Sequence, residues 1–134
     1  MTKSEVGTVI LRIVLGLTFF IHGLDKFQGG ISNTVGYFDS LGIPGFLAYA
    51  VALIELIGGI AIILGIGTKF VALLFAVVMV GAIFTAKLPA GFLGNGQGAG
   101  YELDLALLAI SIYLILADRN PLSLDRIIAN KKNS

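Results

Sequence analysis

Four apolar stretches, at about residues 6–21, 46–66, 70–86 and 101–117, fix what this chain can become. A helix rises ~1.5 Å per residue, so ~17–25 residues cross a ~30 Å hydrocarbon core. The runs are continuously apolar with no alternation of period two, which argues against transmembrane strands. Hydrophobic residues make up 57% of the 134 residues and charged residues 13%. A soluble domain this small cannot hide so much apolar surface, so lipid must solvate it. The expectation is an all-α, four-helix transmembrane bundle with short interfacial helices, forming a single domain over residues 1–134. The fourth stretch is short and must count its polar first turn or sit in a thin patch of membrane.

The connections refine this plan. Residues 65–69 (Gly-Ile-Gly-Thr-Lys) read as a tight hairpin. Residues 24–45 are longer; Ser32 is a candidate cap for a short helix carrying Ile31, Val35, Phe38 and Leu41, ended by Gly42 and Pro44. That helix is expected to lie on the membrane surface. Residues 89–100 are glycine-rich and read as a loop, and residues 120–134 as a surface helix starting near Pro121 or Ser123. A signal-peptide reading of the first stretch fails because Arg12 interrupts it and three more spans come later.

Four crossings put both termini on one side, together with Lys3, Lys69, Arg119, Arg126, Lys131 and Lys132, while Lys26 and Lys87 fall on the other. The lysine and arginine excess predicts a multi-pass cell-membrane protein with both termini cytoplasmic. Net charge is +1, giving no electrostatic basis for nucleic-acid binding. Cysteine is absent and histidine occurs once, which excludes disulfides, thiol relays, Fe–S ligation and multi-histidine metal sites built by one chain. No metal site is expected.

Ionisable residues inside a span are functional candidates by default. Arg12 and Glu55 are two such residues. Measured from span ends, Arg12 lies ~9 Å and Glu55 ~16 Å from the terminal side, a gap an arginine can bridge. The expectation is an Arg12–Glu55 ion pair, either a structural lock or the floor of a polar cavity. Arg12, Gly16, Phe19, Gly23 and Lys26 share one stripe of the first helix. Ala48, Ala52, Glu55, Gly59 and Ile62 share one of the second, where small residues permit close approach. A second polar group gathers at the opposite ends: His22, Asp25, Lys26, Lys87, Glu102 and Asp104. Glu102 shares a face with Ala106, Ala109 and Tyr113; Asp104 points almost oppositely, with Ser111. For Glu102 and Asp104 the plain alternative is helix capping. His22, Lys26, Glu102 and Asp104 are candidate residues of a pocket opening away from the termini. Phe19, Phe20, Phe27, Phe84 and Tyr101 are candidates for its mouth, and a flat amphipathic ligand such as a quinone suits that mixture.

These residues carry a family resemblance. The segments Arg12-Ile-Val-Leu-Gly-Leu-Thr-Phe-Phe-Ile-His-Gly-Leu-Asp-Lys26, Ala52-Leu-Ile-Glu-Leu-Ile-Gly-Gly-Ile60, Gly100-Tyr-Glu-Leu-Asp104 and Ser123-Leu-Asp125 resemble the DoxX family of small bacterial membrane proteins. The likeness runs over residues 9–127. It implies a four-helix membrane bundle and an oxidoreductase label, partly because one relative is a small subunit of a thiosulfate:quinone oxidoreductase. The family's polar positions fall on Arg12, Lys26, Glu55 and Glu102. Asp118-Arg-Asn-Pro-Leu122 departs from the glycine-rich turn that relatives often carry. No motif for a bound redox cofactor is present, so the oxidoreductase reading needs a bound quinone or a partner enzyme's cofactor. The alternative is a non-enzymatic scaffold, assembly factor or small-molecule carrier. Small-residue stripes also permit a homo-oligomer.

Overall fold

The computed structural model describes residues 1–96 and 98–132. Its helices are α1 (Lys3–Gln28), α2 (Ile31–Ser40), α3 (Phe46–Leu64), α4 (Thr68–Ala82), α5 (Glu102–Leu116) and α6 (Leu124–Lys132). Among the described residues there is no strand, only an isolated antiparallel bridge between Gly94 and Ala99. The all-α expectation therefore holds, but the four-helix count is not exact. Three helices are long and apolar enough to cross a membrane: Lys3–Gln28, Phe46–Leu64 and the continuous helical run Thr68–Ala90. α5 has 15 residues, about 22 Å of helix, because Tyr101 precedes its first turn and Ala117 already turns extended.

α1 is longer than its apolar core suggests. Thr2 and Glu5 form a reciprocal capping box at its start, and the helix continues through Asp25 and Lys26 to Gly29. α2 falls where expected, except that Gly30 rather than Ser32 precedes its first turn. Gly42, at φ +79°, accepts the left-handed turn beyond it. Tail helix α6 begins at Leu124, just after Ser123, whose hydroxyl accepts from the Arg126 amide. Residue 97 of the expected 89–100 loop and residues 133–134 of the expected tail lie outside the described residues.

α1, α3, α4 and α5 close into a ring in that order, with α1 against α3 and α4 against α5 as the most extensive pairs. Leu15, Phe19, Ile62, Phe75, Met79 and Leu114 fill the centre. There the rings of Phe19 and Phe75 stack at 3.8 Å with 10° between planes. Phe19 is thus core, not the lining of a mouth. Both predicted stripes face inward: Arg12, Gly16, Phe19 and Gly23 on α1 are buried, as are Ala48, Ala52, Glu55, Gly59 and Ile62 on α3. Gly16 and Gly59 abut so closely that a Cβ on Gly59 would sit 2.6 Å from the Gly16 carbonyl oxygen.

The start of α1 and the tail helix α6 lie at one end of this ring, beside the 64–68 turn; we call it the terminal end and the other the distal end. Asp125 ties the tail there. Its carboxylate accepts from the amides of Gly67 (2.8 Å) and Thr68 (2.9 Å), and its own amide donates to the Gly65 carbonyl (2.9 Å). The carboxylate thereby caps the start of α4, an arrangement typically contributing about 1 kcal/mol.

Candidate functional site

The anticipated Arg12–Glu55 pair does not form. Gly16 abuts Gly59, and Gly23 abuts Ala52 and Leu56. Arg12, one turn before Gly16, therefore comes level with Gly65. A Cβ on Gly65 would lie 3.4 Å from Arg12 Nη1. Glu55 is ten residues from Gly65, about 15 Å along α3, and beyond reach. The two charges instead organise two separate centres, one at each end of the bundle.

At the terminal end Arg12 is 1% exposed. Its Nη1 donates to Asn120 Oδ1 (2.7 Å) and the Pro121 carbonyl (2.8 Å), and its Nη2 to the Leu122 carbonyl (2.5 Å). A guanidinium fork matches such a row of acceptors, where a lysine could not. Leu122 sits at φ +48°, a conformation that L residues other than glycine adopt rarely. The network extends outward: Asn120 donates to Thr68 Oγ1 (2.7 Å), Lys69 to the carbonyls of Ile115 and Ala117 (both 2.7 Å), and Arg126 to Glu5 (3.2 Å). Sequence reasoning missed these partners. The signal available was the polar, proline-containing Asp118-Arg-Asn-Pro-Leu122 turn, the segment that Arg12 holds.

At the distal end two ion pairs form. Lys26 Nζ meets Glu55 Oε1 at 2.7 Å, and Lys87 Nζ meets Asp104 Oδ2 at 2.9 Å. The carboxylates are deeply buried, while the lysine side chains keep 25% and 31% of their surface exposed. At these distances each ammonium is the direct, charge-assisted partner of one buried carboxylate oxygen. His22 and Asp104 lie within electrostatic reach of Glu55, so the two pairs act as one cluster.

Each member arrives from a different element. Lys26 extends from the last turn of α1 and Glu55 from the middle of α3. Lys87 comes from a π turn, Ile83–Lys87, that continues α4 before a short 3-10 turn, Leu88–Ala90. A π turn inserts an extra residue and so re-aims the helix beyond it, and such turns recur at functional sites. Asp104 lies on the inward face of α5 with Leu107, Ser111 and Leu114. Of the predicted pocket residues, the structure gathers Lys26 and Asp104, with Lys87. His22, Asp25 and Glu102 are not buried with them. Glu102 is two residues from Asp104, about 200° around the helix, so the two cannot face inward together. Phe84, 68% exposed, points away from the bundle. Two clefts open at the terminal end, and neither is lined by Arg12 or Glu55.

The DoxX family profile matches residues 7–88. The "Putative oxidoreductase CatD" of Bacillus subtilis (strain 168) is 47% identical, over 99% of this chain and 96% of its own. The "Inner membrane protein YqjF" of Escherichia coli (strain K12) is 33% identical, over 96% of each chain. An "uncharacterized membrane protein" of Mycobacterium tuberculosis is 32% identical, over 93% of this chain and 83% of its own. No solved structure matches.

Proposed function

Because the chain belongs to the DoxX family, we propose that it is the membrane-embedded component of a quinone-linked oxidoreductase, with the Lys26–Glu55 and Lys87–Asp104 cluster as its quinone-facing site. The observation that carries this reading is the gathering of two buried carboxylates, each in contact with a partly exposed lysine, at one end of the bundle. A quinone accepts two electrons and two protons in becoming a quinol. The partly exposed ammonium groups of Lys26 and Lys87 are suited to donate to its carbonyl oxygens. The carboxylates of Glu55 and Asp104 are suited to accept or return its protons. With no cysteine and one histidine, the chain supplies no ligand set for an electron-carrying metal centre, so the electrons come from a partner enzyme's cofactor.

The test is binding of a water-soluble quinone analogue to the purified protein, with mass analysis of co-purified quinone. Glu55→Gln keeps the shape and removes the exchangeable acid. It is expected to weaken quinol binding about tenfold, equivalent to roughly 1.4 kcal/mol, while helical circular dichroism stays unchanged. No saturable binding by the wild type, or equal binding by Glu55→Gln, would sink the reading. The missing redox ligands favour a second reading, a non-enzymatic scaffold, assembly factor or carrier. A featureless absorption spectrum, with no bound quinone but a stable protein partner on pull-down, would select it.

The same reading puts the terminal end in the cytoplasm, in keeping with the lysine and arginine excess there. The cysteine-free chain makes this simple to check. Lys132→Cys is expected to resist a membrane-impermeant maleimide in intact cells and to react after permeabilisation. Labelling from outside would reverse the topology.

A further inference from the structure

The two ends of the bundle are oppositely charged. Seven of the nine basic residues (Lys3, Arg12, Lys69, Arg119, Arg126, Lys131 and Lys132) belong to the terminal end, with three of the eight acids. The distal half holds Lys26 and Lys87 against five acids. Two adjoining clefts open at the terminal end. One, of about 300 Å³, lies between α1, the start of α4 and the turn after α5. The other, of about 550 Å³, lies between the first turns of α1 and the end of α5. They share Thr8, Ala117 and Arg119, so Arg119 stands on the ridge between them.

The charges around these clefts are mostly engaged. Arg12 and Lys69 are taken up by carbonyls, and Arg126 by Glu5. Asp125 is absorbed in capping α4, and Glu5 also accepts from the Thr2 amide. Arg119 is different. It is exposed and has no ion pair or hydrogen bond among the described residues. Asp118, its neighbour, is the one uncompensated acid nearby among them. The walls are largely apolar: Leu114 and Phe70 on one side of the ridge, Tyr113 and Leu116 on the other, with Leu116 72% exposed. A hydroxyl pair, Thr8 and Tyr113 at 2.5 Å, marks the boundary between polar rim and apolar wall.

We propose that these clefts seat an anionic phospholipid, its phosphate on Arg119 and its acyl chains along Leu116 and Phe70. A positively charged end attracts anionic headgroups, and basic pockets between membrane helices are suited to them. The apolar wall selects an amphiphile over a free anion, which would gain nothing from it. The bilayer around the protein supplies such a molecule at high local concentration. This site is independent of the distal cluster, and each can fail without the other.

Native mass spectrometry of the full chain, released from nanodiscs containing equal phosphatidylglycerol and phosphatidylcholine, tests it. One retained phosphatidylglycerol is expected on the wild type. Arg119→Gln should lower the retained fraction about fivefold, the effect of one basic contact, with unaltered melting in phosphatidylcholine alone and unaltered quinone binding. Equal retention of phosphatidylcholine, retention unchanged in Arg119→Gln, or full displacement by inorganic phosphate would each overturn the proposal. The last result would identify a simple anion site.

Discussion

Gly59→Leu is expected to lower stability by about 3 kcal/mol or more. A Cβ at Gly59 meets the Gly16 carbonyl oxygen and the Phe20 amide nitrogen, both at 2.6 Å. These are backbone atoms and cannot rotate aside, so the helices must separate. Separation strips the packing between α1 and α3, the most extensive helix pair, and pulls Lys26 from Glu55. Association of helices in lipid rests on such close packing, because the tails are as apolar as the side chains. Thermal or denaturant unfolding in detergent measures the loss. Gly16→Ala and Gly59→Ala test the cause, since both act on one separation. The double variant should cost less than the sum of the two singles. Strict additivity would show that the two glycines do not share a contact.

Arg12→Leu should cost about 3 kcal/mol. It removes three charge-assisted donors and leaves Asn120 Oδ1 and the carbonyls of Pro121 and Leu122 without partners. Leu122 would lose the contact that helps hold its unfavourable backbone angle. The tail segment from Asp118 to Asp125 should then open before the bundle does, becoming a site of limited proteolysis. Arg12→Lys keeps the charge but presents a point instead of a fork, and should fall between the two. If Arg12→Leu resists protease and melts like the wild type, Arg12 does not anchor the tail.

The helix faces were legible because residues spaced by three and four in an apolar run must share a side. The stripes through Gly16 and Gly23 and through Ala52 and Gly59 were found that way, and both face the interior. The vertical offset between helices was not legible. It depends on which glycine nests against which backbone, and depths measured from the span ends placed Arg12 too near Glu55. The true partners of Arg12 include two backbone carbonyls, which every residue possesses and no pattern marks. Lys87 reaches Asp104 from a π turn, and residues 83–87 carry no mark of that irregularity. Asp104 was separable from Glu102 by its shared face with Ser111, but both remained candidates because capping explained either equally well.

The uneven charge between the two ends has a consequence for how the chain resides in an energised cell. Seven basic against three acidic residues leave an excess of four positive charges at the terminal end, and two against five leave three negative at the other. A membrane held negative inside acts on such an asymmetric object as a field acts on an oriented dipole. Each elementary charge carried across the full drop is worth about 2.3 kcal/mol per 100 mV. With the terminal end on the negative side both sets of charge lie with that drop, and inverting the bundle would carry both against it. The voltage that a respiring cell maintains therefore favours one insertion direction, and it does so most strongly while the helices are still entering the bilayer.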